Sequence, residues 1–248
     1  MMRIEVRDLF VLRGGFPAVE AVSFVIDGAG WMGLVGANGS GKTSLLRALA
    51  GRIEAQGGEM LIDGIDRTGD RGWRARAIGF APDAAALPSS LSGRELFAIL
   101  GGGETGLDPA DPFATLRRAL AFDHFLDRRI GTLSAGMRQR LAIFCAFLAR
   151  PDAVILDEPF NWLDPICAFD TKAALAALAE AGLTLITALH EMNTLVHHCR
   201  AGLLLSDGRV SRRLDADALA AGARDYAAFE AEMIAGLRGG TESGEGGG

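Results

Sequence analysis

Cysteine is scarce in this chain of 248 residues: Cys145, Cys167 and Cys199 are the three present. Their odd number and the absence of C-x-x-C spacing exclude a disulfide framework and a structural zinc site. Cys145 and Cys167 lie in apolar or Ala-rich stretches, where free thiols are ordinarily buried. Long hydrophobic runs are missing too. The longest strongly apolar run, Leu141 to Ala149, has nine residues, against roughly 20 for a membrane-spanning helix. No basic segment followed by an apolar stretch opens the sequence, so no secretory leader is expected. Positive charge is in deficit. Against 31 acidic residues stand 25 basic ones, and the net charge of −6 argues against a general nucleic-acid binder. The local cluster Arg71, Arg74 and Arg76 reads as a solvated face. What the chain does have is apolar substance. It is 49% hydrophobic and 23% charged, with a mean hydropathy of +0.22, which excludes disorder as the main state. A cytosolic globular protein is expected.

The hydrophobic pattern changes several times along the chain. Alternating apolar stretches at Ile4 and Val6, then at Val22, Phe24 and Ile26, predict short antiparallel strands. Trp31 to Val35 predicts a strand, followed by a Gly-rich loop and a helix from Ser44 to Ala50 that Gly51 stops. Further strands are expected at Glu59 to Asp63 and Ala77 to Phe80. Ser90 to Arg150 reads as mostly helical, interrupted at Gly101-Gly102-Gly103, Asp108-Pro109 and Asp111-Pro112. Within it, Ser134 is placed to cap a helix with Met137, Leu141, Phe144, Cys145 and Leu148 on one face.

Ala153 to Leu156 is a short, fully apolar strand, as in a buried parallel sheet. Asp164-Pro165 supplies an N-cap and a first-turn proline for a helix to about Glu180. Leu183 to Leu189 is another buried strand, Asp207-Gly208 turns a hairpin, and 214–237 read as helical. The expectation is an α/β fold with a mostly parallel sheet, an N-terminal antiparallel β part and an inserted α-helical part. Residues 1–237 form one domain in this reading, with the helical insertion at about 84–150 and a flexible Gly-rich tail at 238–248.

The strongest chemical signal is Gly36-Ala37-Asn38-Gly39-Ser40-Gly41-Lys42-Thr43, which fits G-x-x-x-x-G-K-[ST] between a strand and a helix. Its glycines let backbone N–H groups curl round an anion, and the helix N-terminus adds partial positive charge. Lys42 then reaches the β- and γ-phosphate oxygens, Thr43 ligates Mg²⁺, and Ser44 follows in the first helical turn. A second signal is Ala153-Val154-Ile155-Leu156-Asp157-Glu158, an apolar strand with two carboxylates at its C-terminal end. Ligands bind at that end of an open α/β sheet. Asp157 is placed to hold Mg²⁺, and Glu158 to polarise an attacking water as general base.

Leu133-Ser134-Ala135-Gly136-Met137, followed by Arg138-Gln139-Arg140-Leu141, resembles the signature motif of ATP-binding-cassette (ABC) ATPases. Leu133 lies 24 residues before Asp157, the spacing such domains show. Asp157-Glu158-Pro159 and Asn161-Trp162-Leu163-Asp164 continue the resemblance into the segment called the D-loop, and His190 stands where the family carries its switch histidine. The resemblance implies a P-loop NTPase core. It also implies a head-to-tail dimer, with ATP held between one chain's P-loop and its partner's Ser134 and Gly136. His190 would hydrogen-bond the γ-phosphate. It further implies the ATP-hydrolysing subunit of an ABC transporter, peripheral at the inner face of the cell membrane. A separate transmembrane permease would dock on the helical region around residues 84–130.

Three positions depart from the family pattern. Asp83, in Ala81-Pro82-Asp83, stands where a glutamine usually touches Mg²⁺ and water, so it is either a metal ligand or a turn residue. Arg13 occupies the place of the adenine-stacking aromatic, leaving the base to the guanidinium plane, to Phe16, or to weak holding. The signature has Ala135 and Met137 in place of glycine and glutamine. None of these touches Lys42, Asp157, Glu158 or His190, and hydrolysis is still expected. Phrases such as Leu91-Ser92-Gly93-Arg94-Glu95-Leu96 resemble subunits of bacterial exporters. The alternatives are a non-transport ABC ATPase and a nucleotide-binding regulator with weak hydrolysis.

Overall fold

A computed structural model describes residues 2–101 and 111–239. The expected turn at Asp108-Pro109, most of the Gly101–Gly103 loop and most of the Gly-rich tail lie outside the described residues. The N-terminal alternation produces β1 (Ile4–Arg13) and β2 (Phe16–Ile26), which pair antiparallel about a turn at Gly14 and Gly15. After them come β3 (Gly30–Gly36) and α1 (Lys42–Leu49), then β4 (Gly57–Ile62) and the short β5 (Ile65–Asp66). β1, β2, β4 and β5 form one antiparallel sheet in the order β2-β1-β4-β5.

The chain then runs through α2 (Arg71–Ala77) and β6 (Ile78–Phe80) into the helical part, α3 (Gly93–Leu100), α4 (Ala114–Leu120) and α5 (Ala135–Cys145). It returns through β7 (Ala153–Asp157), α6 (Pro165–Glu180), β8 (Thr184–Leu189), α7 (Met192–His198), β9 (Ala201–Ser206) and β10 (Arg209–Leu214). It closes with α8 (Ala216–Arg224) and α9 (Tyr226–Gly239). A second sheet has the order β10-β9-β3-β8-β7-β6, parallel except for β10 at its edge. Every residue of β8 is buried, as a strand covered on both faces requires.

Of three buried apolar clusters among the described residues, one packs α7–α9 on the parallel sheet and the other two hold the remaining layers. Leu34, Leu45, Leu46, Ile155 and Ile186 join the parallel sheet to the antiparallel one, while Phe97, Phe122, Phe125, Phe144 and Phe147 fill the helical part. Caps set the helix starts. Asp164 accepts the Cys167 N–H at 3.0 Å with Pro165 in the first turn, and Ser134 accepts the Met137 N–H at 3.3 Å. At α3, Ser92 and Glu95 cap each other reciprocally.

Of the cluster Arg71, Arg74 and Arg76, the first and last are exposed, as a solvated face requires, but Arg74 is not. Asp70 caps α2 there, and Arg74 is only 1% exposed. Its guanidinium donates to the carbonyls of Arg67, Thr68 and Ala48, tying the end of α1 to the β5–α2 loop. Three backbone acceptors compensate its burial. Among the cysteines, Cys167 is buried and the other two are partly so, and none forms a disulfide.

Candidate functional site

Parallel pairing of β3 with β8 and of β8 with β7 places three loops side by side at the C-terminal edge of the sheet. The loop after β3 is the glycine-rich one. Gly39 and Gly41 have φ of +83° and +98°, and a Cβ on Gly41 would collide with the Ala18 carbonyl. Only glycine reaches that bend at no steric cost. The turn is closed by Ser40 N–H to Ala37 O at 3.1 Å, and α1 begins with Leu45 N–H to Gly41 O at 2.9 Å. A cleft of about 300 Å³ results, lined by Ala18, Asn38, Gly39, Ser40, Gly41, Lys42, Thr43, Ser44 and Glu158. Lys42 is buried, and its ammonium donates to Gly36 O at 2.8 Å and Ala37 O at 3.1 Å. Burial lowers its pKa, and the carboxylates of Glu158 and Asp157 pull it back up.

Asp157 ends β7. Burial raises its pKa, against the lowering effect of the hydrogen bond from Thr43. Its Oδ1 is buried and has no hydrogen-bond partner. A buried carboxylate oxygen without a donor, beside a threonine hydroxyl, is the donor set that a hard divalent cation takes. Glu158, at φ +49°, turns away from the strand. Its Oε1 lies 2.8 Å from His190 Nε2, and its Oε2 accepts from Asn161 Nδ2 at 3.0 Å. A second cleft of about 230 Å³ shares Thr43 and Glu158 with the first and is also lined by Asp83, Gln139, Asp157 and Asn161.

The structure therefore brings Lys42, Thr43, Asp157, Glu158 and His190 together. Asp83 faces the second cleft while its carboxylate accepts the Ala85 N–H at 2.8 Å, so it caps a turn at the same time. Arg13 and Phe16 line neither cleft. They stand at the tip of the β1–β2 hairpin, with Phe16 77% exposed. Ser134 and Gly136 open α5 and line neither cleft of their own chain. Sequence reasoning missed Asn161 and Gln139 as neighbours of the acidic pair. Glu158-Pro159-Phe160-Asn161, a proline at the second position of a four-residue turn, was the available signal.

The family model for ABC transporters matches residues 19–161. The hemin import ATP-binding protein of Bordetella pertussis is 32% identical over 224 residues, 85% of this chain and 85% of that protein. The energy-coupling factor transporter ATP-binding protein of Bacillus subtilis is 32% identical over 181 residues, 71% of this chain and 64% of that protein. A solved ATP-binding subunit of an ABC transporter superposes with a TM-score of 0.80 at 26% identity, covering 95% of this chain and 99% of that one. A dimeric ATP-binding cassette with ADP and Pi bound shares the fold, with a TM-score of 0.73 at 22% identity over 86% of this chain and 98% of its own. With the strand–loop–helix of the P-loop, the acidic end of β7 and the signature helix all in place, the chain belongs to the ATP-binding subunits of ABC transporters.

Proposed function

We propose that this chain binds Mg-ATP in the Lys42 cleft, hydrolyses it with Glu158 as general base, and powers transport through a separate membrane permease. The observation that carries this is the convergence of Lys42 with Asp157 and Glu158 at one sheet edge, with Asp157 Oδ1 left unpartnered. Backbone N–H groups of the Asn38–Ser44 loop cradle the phosphates, and Lys42 neutralises charge at the β/γ bridge. Thr43 and Asp157 are the residues that would hold Mg²⁺, which when bound offsets phosphate charge. Glu158 takes a proton from water as the water oxygen bonds to the γ-phosphorus and the bond to the bridging oxygen breaks. His190 hydrogen-bonds the γ-phosphate, and Ser134 and Gly136 of a second copy, at the N-terminus of its α5, close the site from outside.

Residues 1–237 act as one nucleotide-binding domain in this reading, carrying the helical part at about 84–150. Among the described residues no helix is long and apolar enough to cross a membrane. In this reading a partner supplies the transport path, and the chain works from the inner membrane face. A groove of about 750 Å³ between α2–β6 and the helical part has Ile53, Phe80, Leu100 and Ala149 in its walls and Arg47, Arg52 and Arg76 around them. It suits an apolar permease segment flanked by acidic residues. Relatives named for hemin import, sulfate/thiosulfate import and multidrug transport stand side by side at 30–32% identity. Export, the direction that phrases such as Leu91–Leu96 suggest, is thus one of two that such a cassette serves. Phosphate release from Mg-ATP by the purified chain, with capture of its partner from native membranes, tests the proposal. A chain that binds ATP and releases no phosphate would overturn it.

A further inference from the structure

We propose that Asn161 is a positioning residue for hydrolysis: its amide fixes the plane of the Glu158 carboxylate from within the D-loop. This rests on Glu158 being the general base. The two carboxylate oxygens have different partners, His190 Nε2 on Oε1 at 2.8 Å and Asn161 Nδ2 on Oε2 at 3.0 Å. His190 belongs to the loop after β8 and reaches Glu158 across the sheet edge. Asn161 belongs to the same turn as its target. The Asn161 N–H approaches the Glu158 carbonyl at 3.4 Å, so the side chain at the end of the turn folds back on the one at its start. Gln139, on α5, holds the crest of that turn by donating to Pro159 O at 3.0 Å.

The terminal torsion of a glutamate is broad and roughly two-fold, so an untethered carboxylate samples many planes. Nε2 of His190 cannot serve Glu158 and a γ-phosphate at once. When it turns to the phosphate, Oε1 is released for the proton of the attacking water. Oε2 stays with Asn161, which is then the group that keeps Oε1 aimed. A base contributes its full effect only when held in line with the proton it takes.

The test is steady-state hydrolysis of Mg-ATP by full-length Asn161→Ala, Asn161→Asp and Asn161→Gln chains, with fluorescent-ATP binding measured in parallel. Asn161 is exposed, so the fold tolerates all three. Loss of aim predicts that Asn161→Ala lowers kcat by about 10- to 100-fold, with KM and nucleotide affinity within about two-fold of the parent. Asn161→Asp has the same size and no donor, and it falls at least as far. Asn161→Gln keeps an amide and recovers most of the rate. Parental kcat in both Asn161→Ala and Asn161→Asp, or a loss confined to KM, would overturn the proposal. Glu158→Gln separates the two readings: if it hydrolyses ATP at the parental rate, the assignment of the base fails instead.

Discussion

Lys42→Met removes the ammonium while keeping a side chain of similar length and shape. In the structure that ammonium spends two of its three protons on Gly36 O and Ala37 O, at 2.8 and 3.1 Å. One proton remains for the ligand directly, and the ion's charge acts on a second phosphate oxygen at close range. Counting two charge-assisted contacts at about 1.5 kcal/mol each gives about 3 kcal/mol, or about 150-fold in the dissociation constant. Thermal melting reads this through linkage. At a nucleotide concentration about 100 times the parental dissociation constant, binding stabilises the parent by ~2.7 kcal/mol. That raises the melting temperature of a chain this size by about 5–10 °C. The variant at the same concentration gains about 0.3 kcal/mol, a shift of about 1 °C. Without nucleotide its melting temperature should move less than that ligand-induced shift, because relief of ammonium burial offsets the two lost bonds. A Lys42→Met chain that keeps the parental nucleotide-induced shift would refute the assignment of this cleft.

Glu158→Gln should bind Mg-ATP without turning it over, running as a monomer alone and as a dimer with Mg-ATP in light scattering; adding Ser134→Arg should abolish the dimer, and its persistence would place the γ-phosphate elsewhere. Asp83→Asn retains a short cap for the Ala85 N–H but removes a negative charge from the second cleft, so KM for Mg-ATP should fall at an unchanged melting temperature. An unchanged KM would confine Asp83 to its turn. With Arg13 and Phe16 at an exposed hairpin tip and stacking indifferent to base identity, ATP and GTP should bind within about tenfold; a strong preference for ATP is the opposing result. Burial pushes the Cys145 thiol up to about 12, and the Cys167 and Cys199 thiols upward as well. All three should therefore resist a thiol reagent at pH 8 until the chain unfolds. Because their folded pKa values are raised, stability is undiminished below the unfolded thiol range and falls above about pH 9, where unfolded thiols ionise first. Rapid labelling of the native chain would contradict this.

The glycine-rich loop, the acidic end of β7 and the capped starts of α5 and α6 were legible because each is written in a few adjacent residues with one physical meaning. The contact between Glu158 and His190 was not. Those residues are far apart in sequence, and only the placement of β8 beside β7, Asp157 opposite Ala188, brings their loops together. Strand order is a property of the packed sheet, and periodicity does not carry it. Arg74 misled for a related reason. An arginine on a seven-residue helix reads as solvated, and its three carbonyl partners come from α1 and the β5–α2 loop, which close over it only in the fold. Asn161 lay in a motif matched as a whole, where its individual reach back to Glu158 is set by the left-handed turn of Glu158 itself.

These contacts also decide what moves with what. The signature helix α5 is fastened to the D-loop of its own chain at three points. Gln139 donates to Pro159 O at 3.0 Å, Arg140 pairs with Asp164 at 2.5 Å, and Gly136 lies so close beneath Trp162 that an added Cβ would sit 2.5 Å from its carbonyl oxygen. Real Cβ atoms do not approach an oxygen that closely, so Gly136→Ala would force the helix start and the D-loop apart by roughly 0.5–0.9 Å, the gap to ordinary contact. Contiguity alone does not couple two sites; an element with two arrangements is needed. In the proposed mechanism the Glu158–His190 pair would supply it, since Nε2 has one N–H to give and two acceptors, Glu158 and the γ-phosphate, to choose between. When it lets go of Glu158, the turn that carries Glu158 and Asn161 loses one of its anchors while keeping those to α5. On the proposed mechanism, a nucleotide in one chain's cleft is thereby connected to the helix that chain presents to its partner's.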